Sequence, residues 1–208
     1  MAEAEASPSA AQTGINWLMT AGKGPLKKVA YQVLDWVNKQ VGKQDQPVPG
    51  NAAKQESTPK DFMSYFKNGA ALGQLANVLK PNSVPVEPEP SDTEKMITNI
   101  KGFLNFAQKD GGVQQAEQVK AEEVAAGKTS QFAPLLQTLV GLGGNATEKF
   151  GASEGLDLNR LSAMVTAATG KSFMQHLIAL KDRLFKRQPA VTETPANASA
   201  QEAAAKTE

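Results

Sequence analysis

Gly127-Lys128-Thr129 and Gly170-Lys171-Ser172 each have the ending of a phosphate-binding loop: glycine, lysine, then a hydroxyl residue. In such a loop the backbone N–H groups wrap the phosphates. The wrapping needs a second glycine five residues before the one preceding the lysine. Those positions hold Glu122 and Val165, and both tripeptides follow helical rather than strand patterns, so neither is read as a nucleotide site. His176 is the single histidine and lies between Phe173 and Leu180 on the apolar side of a helical pattern. No carboxylate or hydroxyl is spaced to orient it as an acid or base, and a packed histidine is expected. Glu122 and Glu123 are adjacent, and adjacent side chains on a helix do not face each other; they read as solvated surface. The chain has no cysteine, which excludes disulfides, thiolate catalysis and cysteine-ligated metals. A single histidine excludes a histidine-rich metal site. The expectation is a protein that is not an enzyme, with no catalytic residues, no cofactor and no metal.

Charge offers binding instead of chemistry. The formal net charge of +1 over 208 residues supplies no overall field toward nucleic acid or membrane. Two segments depart from that balance. Residues 22–50 carry Lys23, Lys27, Lys28, Lys39 and Lys43 against Asp35 and Asp45, and residues 171–187 carry Lys171, Lys181, Arg183, Lys186 and Arg187 against Asp182. Such stripes are either plain solvated helix faces or docks for an acidic partner, such as an actin filament, a microtubule or an anionic lipid surface. Lys27, Lys28, Lys39, Lys181, Arg183, Lys186 and Arg187 are the candidate partner-binding residues.

Helices must position these groups. Leu26, Val29, Ala30, Val33, Trp36, Val37 and Val41 form a 3.6-residue stripe, with Pro25 suited to the start and Gly42 to the stop. Thr58 and Pro59 open a short helix carrying Phe62, Met63 and Phe66. Gly69 turns the chain into a second helix with Leu72, Leu75, Ala76 and Leu79, which Pro81 ends. "NSVPVEPEP" is extended. Ser91 and Glu94 are spaced as a capping box before a helix with Met96, Ile97, Ile100, Phe103, Leu104 and Ala107 on one face, ended by Asp110-Gly111-Gly112. Residues 113–128 are polar and weakly patterned. Ser130 is the expected cap of a helix with Phe132, Leu135, Leu136, Leu139 and Leu142 inward, closed by Gly143-Gly144. Residues 156–169 and 172–187 read as two more helices around Gly170, the second with a stripe of Phe173, Leu177, Leu180 and Leu184. No strand is expected. Trp17 and Leu18 sit in an apolar island that either folds back to cap the core or serves as a partner-binding peptide.

The order of elements resembles a calponin-homology (CH) domain. Val33-Leu34-Asp35-Trp36-Val37 is similar to the family's first helix. "FKNGAALGQLANVLKPNSV" resembles its signature, with Gly69, Leu72, Leu75, Asn77, Pro81 and Val84 at matching places and Asn68 where an aspartate is usual. "NIKGFLNFAQKDGGV" is similar to the central helix, and "LLQTLVGLG" to the last core helix. The resemblance covers roughly residues 25–144 and is closest to the calponin and transgelin type, without an evident calponin repeat after residue 144. It implies an all-α fold: a single calponin-homology helical domain with a C-terminal helical extension and disordered tails. The expected divisions are a disordered tail over 1–13, the domain with its lead-in over 14–146, a helical extension over 147–187 and a disordered tail over 188–208. The tails lack the apolar residues to offset ordering entropy. Trp36, Leu72, Leu75, Ile100, Phe103 and Leu139 are expected to be buried together.

The resemblance further implies a cytoskeletal binding protein associating with actin filaments, aided by the basic segments. The alternative is an adaptor that does not bind actin and uses the domain and C-terminal helices to hold a signalling or cytoskeletal protein. No nucleic acid and no membrane span are expected. The acidic N-terminus lacks a basic and then apolar leader, and no apolar run approaches the ~20 residues of a span. A cytoplasmic, cytoskeleton-associated protein is expected, in which the sequons at Asn145 and Asn197 are chance matches.

Overall fold

The structure, a computed structural model, describes residues 23–169. Seven α-helices follow in order: α1 Lys23–Gln40, α2 Pro59–Phe66, α3 Ala70–Leu79, α4 Thr93–Lys109, α5 Ala121–Ala125, α6 Phe132–Phe150 and α7 Leu158–Thr169. Two 3-10 turns, Gln114–Gln118 and Thr129–Gln131, flank α5. Among the described residues there is no strand, only an isolated bridge between Asn51 and Glu56. The fold is all-α.

Local chemistry sets the ends of the helices. α1 stops before Gly42, whose φ of 71° is left-handed, and the Lys43 N–H reaches the Asn38 carbonyl at 2.8 Å. Thr58 caps α2 reciprocally: its hydroxyl accepts from the Asp61 N–H, and the Asp61 carboxylate accepts from the Thr58 N–H. Gly69 makes the corner between α2 and α3 at φ 70°. A Cβ there would come within 2.8 Å of both Asn99 Cβ and Ile100 Cγ1, so the corner needs glycine for its angle and for its room. The cap of α4 is Asp92, one residue beyond the expected Ser91. The Asp92 carboxylate accepts from the Lys95 N–H at 2.9 Å, whereas the Ser91 hydroxyl meets side chains alone, donating to Asp92 and accepting from the Lys95 ammonium. A charged acceptor in reach of the helix N-terminus outcompetes a hydroxyl.

α6 differs more from expectation. It does not start at a Ser130 cap, because the Thr129–Gln131 turn leads straight into Phe132. Nor does it end at Gly143-Gly144. It runs on to Phe150 and stops at Gly151, φ 64°, where the Gly151 and Ala152 N–H groups return to the Thr147 and Ala146 carbonyls. Residues 146 and 147, where the domain and its extension were expected to part, are therefore consecutive residues of one helix. Gly143 and Gly144 serve packing: added Cβ atoms would come within 2.7 Å of Leu156 Cβ and of Leu158 Cδ1 respectively.

Residues 113–128, weakly patterned in sequence, bury Val113, Ala116, Val119, Ala121, Val124 and Ala125. The elements are too short for a 3.6-residue stripe to develop. One core results, in which Trp36, Leu72, Leu75, Ile100, Phe103 and Leu139 are all buried together. Phe62 meets Phe66 and Phe132 edge-on, with centroids at 4.9 and 5.2 Å. α3 packs on α4, and α1 contacts α2, α3, α6 and α7.

Candidate partner-binding surface

The three lysines expected to act together on α1 do not share one face. With ~100° and ~1.5 Å per residue, Lys28 and Lys39 point about 20° apart and lie roughly 16 Å apart along the axis, on the side opposite the buried Val33 and Val37. Lys39 is exposed and paired with Asp35 at 2.9 Å, which neutralises part of that face. Lys27 is turned about 100° away from Lys28. It is half-buried and lines an open polar groove with Asn51, Lys54, Glu56, Thr58 and Asp61. Its carbonyl accepts from the Ser57 N–H at 2.9 Å. Two lysines and two carboxylates give that groove no dominant sign. Lys181, Arg183, Lys186 and Arg187 lie outside the described residues, as do His176, Gly170-Lys171-Ser172, the Phe173–Leu184 stripe and the Trp17 island.

Several of the other charged groups are engaged locally. The Lys101 ammonium, 2.7 Å from Glu122, holds that carboxyl below the usual carboxylate range. Glu123 is held low first by the Gln131 amide at 2.7 Å and then by the Ser130 hydroxyl at 3.2 Å. The two acids thus serve different partners, one on α4 and one at the turn before α6. Gly127-Lys128-Thr129 forms a left-handed corner after α5, with Gly127 at φ 69° and Lys128 toward Glu123 at 3.9 Å. Among the described residues no group of three or more His, Asp or Glu side chains is placed to hold a metal ion. No described helix is long and apolar enough to cross a membrane.

Polar residues inside the fold support these surfaces. Tyr65 donates its hydroxyl to the Asn38 Oδ1 in a short hydrogen bond, joining α2 to α1, and burial pushes its phenol up to about 12. Asn77 and Asn99 hold the proline-rich connection from α3 to α4. Asn77 donates to the Val84 carbonyl at 2.7 Å and accepts from its N–H at 2.9 Å. Asn99 does the same for Glu87. Helical periodicity gives such asparagines no role, and Asn77 stands out in sequence only through its place in the family signature; the physical signal is the unpaired backbone of the proline-rich segment that follows Asn77 and precedes Asn99.

Residues 27–144 match the calponin homology (CH) domain family. That is more than half of the chain, and the chain belongs to this family. CH domains are binding domains of the cytoskeletal type rather than catalysts. No solved structure matches the chain.

Proposed function

We propose that the protein binds actin filaments through its single CH domain, aided by its basic segments. The observation that carries this reading is the outer side of α1, which carries half-buried Lys28 and exposed Lys39 on a helix fixed to the core on its other side. Lys181, Arg183, Lys186 and Arg187 add the second basic segment. Exposed contacts of this kind are individually weak and screened, so binding rests on several at once and fades as salt rises past ~0.15 M. Co-sedimentation of the full-length chain with filaments, across a salt series, tests it. Replacing Lys28 and Lys39, or the four C-terminal cations, by glutamine weakens pelleting while helicity is unchanged.

The adaptor reading draws on a different observation. Asp35 pairs with Lys39 on the very face in question, and the groove beside Lys27 mixes both signs. That surface suits a mixed-charge protein partner better than a uniformly acidic one. Absence of pelleting at low salt from the unsubstituted chain decides for the adaptor.

A further inference from the structure

Asn68-Gly69 is the single Asn-Gly pair in the sequence, and it carries chemistry that needs no partner but water. The carboxamide carbon of an asparagine is an electrophile within reach of the backbone nitrogen of the next residue. When that nitrogen loses its proton it attacks Cγ. A new N–Cγ bond closes a succinimide ring, and ammonia leaves. Water then opens the ring at either carbonyl. Cleavage of the new N–Cγ bond leaves an ordinary aspartate. Cleavage of the old bond between the nitrogen and the main-chain carbonyl carbon leaves isoaspartate, in which the chain runs through Cβ and Cγ. The net reaction is amide plus water to carboxylate plus ammonium. Glycine at the second position favours it, because no Cβ shields the nitrogen and the backbone there turns freely.

The fold ties down each group in that ring closure. The Gly69 N–H donates to the Phe66 carbonyl at 2.9 Å, so the proton that must leave is held in a hydrogen bond. The Asn68 Oδ1 accepts from the Ala70 N–H at 3.1 Å, which keeps the carboxamide at the start of α3. The Asn68 main-chain carbonyl accepts from the Asn99 amide at 3.3 Å. The peptide group between residues 68 and 69 is therefore held through both its N–H and its carbonyl. Gly69 is buried, and the side where a Cβ would stand is filled by Asn99 and Ile100. A buried, hydrogen-bonded amide meets hydroxide only when its surroundings open.

We propose that Asn68 is a site of spontaneous deamidation that the closed α2–α3 corner holds inert, so that conversion marks chains whose corner has opened. The two products have opposite fates. Aspartate keeps the backbone, and its carboxylate accepts from the Ala70 N–H at the start of α3, where negative charge is favoured. Isoaspartate lengthens the main chain by one carbon at a corner with no spare room. It also turns the carbonyl that Asn99 holds into a carboxylate outside the main chain. The first product refolds, and the second does not regain the corner. The proposal stands apart from filament binding, since neither Lys28 nor Lys39 takes part.

The test incubates the full-length chain in mildly alkaline buffer, folded and in guanidinium chloride, and follows each asparagine by peptide mapping. Unfolded, Asn68 should convert faster than every other asparagine. Folded, it should convert at least about tenfold more slowly than unfolded. Ion exchange then separates the more acidic products, and a protease that cuts at aspartate but not at isoaspartate assigns them. After the denaturant is removed, the aspartate form should melt with the parent, as should a separately made Asn68→Asp chain, while the isoaspartate form should melt well below it. Equal rates in the folded and unfolded chains overturn the proposal, as does another asparagine converting first in denaturant. So does an Asn68→Asp chain that melts well below its parent, or an isoaspartate form that melts with it.

Discussion

The Asn99 carboxamide and the Glu87 backbone form a closed pair: Oδ1 accepts from the Glu87 N–H at 3.1 Å, and Nδ2 donates to the Glu87 carbonyl at 2.9 Å. The same Nδ2 lies 3.3 Å from the Asn68 carbonyl, so one buried side chain joins the α2–α3 corner to the connection entering α4. A segment with prolines at 81, 85, 88 and 90 has few N–H groups to pair along its own length. A side chain that both donates and accepts is what can pair with the backbone that remains.

Asn99→Asp tests this directly. It keeps the shape and removes the donor, leaving a carboxylate against two carbonyls. A loss of about 2–3 kcal/mol is expected in urea unfolding near neutral pH, from the unsatisfied buried groups. Part of it should return in acid, where the protonated carboxyl donates again. An acid-independent loss would assign the effect to packing instead.

Gly143→Ala sets two effects in opposition. Alanine favours an α-helix over glycine by ~1 kcal/mol. Here its Cβ would stand 2.7 Å from Leu156 Cβ and 3.3 Å from the Trp36 ring, and overpacking costs about 1–3 kcal/mol. Net destabilisation is expected. Leu156→Ala keeps the Cβ in question, so the two losses should combine without rescue, whereas Leu156→Gly should relieve the clash in a double-mutant cycle.

Phe103→Ala opens a cavity in the centre of α4's buried face, where Phe103 is fully enclosed. The expected loss is about 3–5 kcal/mol, read as a lower denaturation midpoint with an unchanged slope. An unchanged melting temperature would contradict the packing described for α4.

Alkaline pH should weaken the fold through Tyr65. Its phenol is raised to about 12 by burial, whereas an unfolded tyrosine titrates near ~10. The folded state therefore keeps its proton where the unfolded state loses it. Stability is full below ~10 and falls as pH rises from there to about 12. In a Tyr31→Phe background, the ultraviolet titration of the remaining phenol should show the raised midpoint, and Tyr65→Phe should flatten the alkaline decline. At the acid end the sign reverses. The lowered carboxyls of Asp92, held by the Lys95 N–H, and Glu123, held by Gln131, favour folding above ~4, and that contribution is lost as pH falls through their folded values.

Helix punctuation was legible wherever a single residue type forces it. Gly42, the Thr58-Pro59 start, the Gly69 corner and the Pro81 stop all lie where steric and capping rules put them. The rules misled where two candidates competed, as at Ser91 and Asp92, or where a glycine had another use, as at Gly143 and Gly144. A glycine pair ends a helix or admits a neighbour, and only the position of Leu156 and Leu158 distinguishes the two. Leu34 was missed from the α1 stripe for a related reason. The helix is covered along an arc from Trp36 to Asn38, wider than one partner would require, because α2 closes one edge and α7 the other. The candidate surface was less legible than the core. Charge counts located lysines on α1, but Lys27 and Lys28, neighbours in sequence, leave the helix in different directions.

The low intrinsic helicity of α6 bears on the order in which the chain assembles. Gly141, Gly143 and Gly144 fall within four residues, each disfavouring the helix by ~1 kcal/mol, so this half of α6 forms when something holds it. The holders are α1 on one side and the 151–157 turn on the other, and the latter lies further along the chain. Substitutions at Leu156 and Leu161 should therefore leave the folding rate nearly unchanged and accelerate unfolding, while Leu135 and Leu139, on the glycine-free half, slow folding. The second half of α6 is thus expected to close only after α1 and the 151–157 turn are in place.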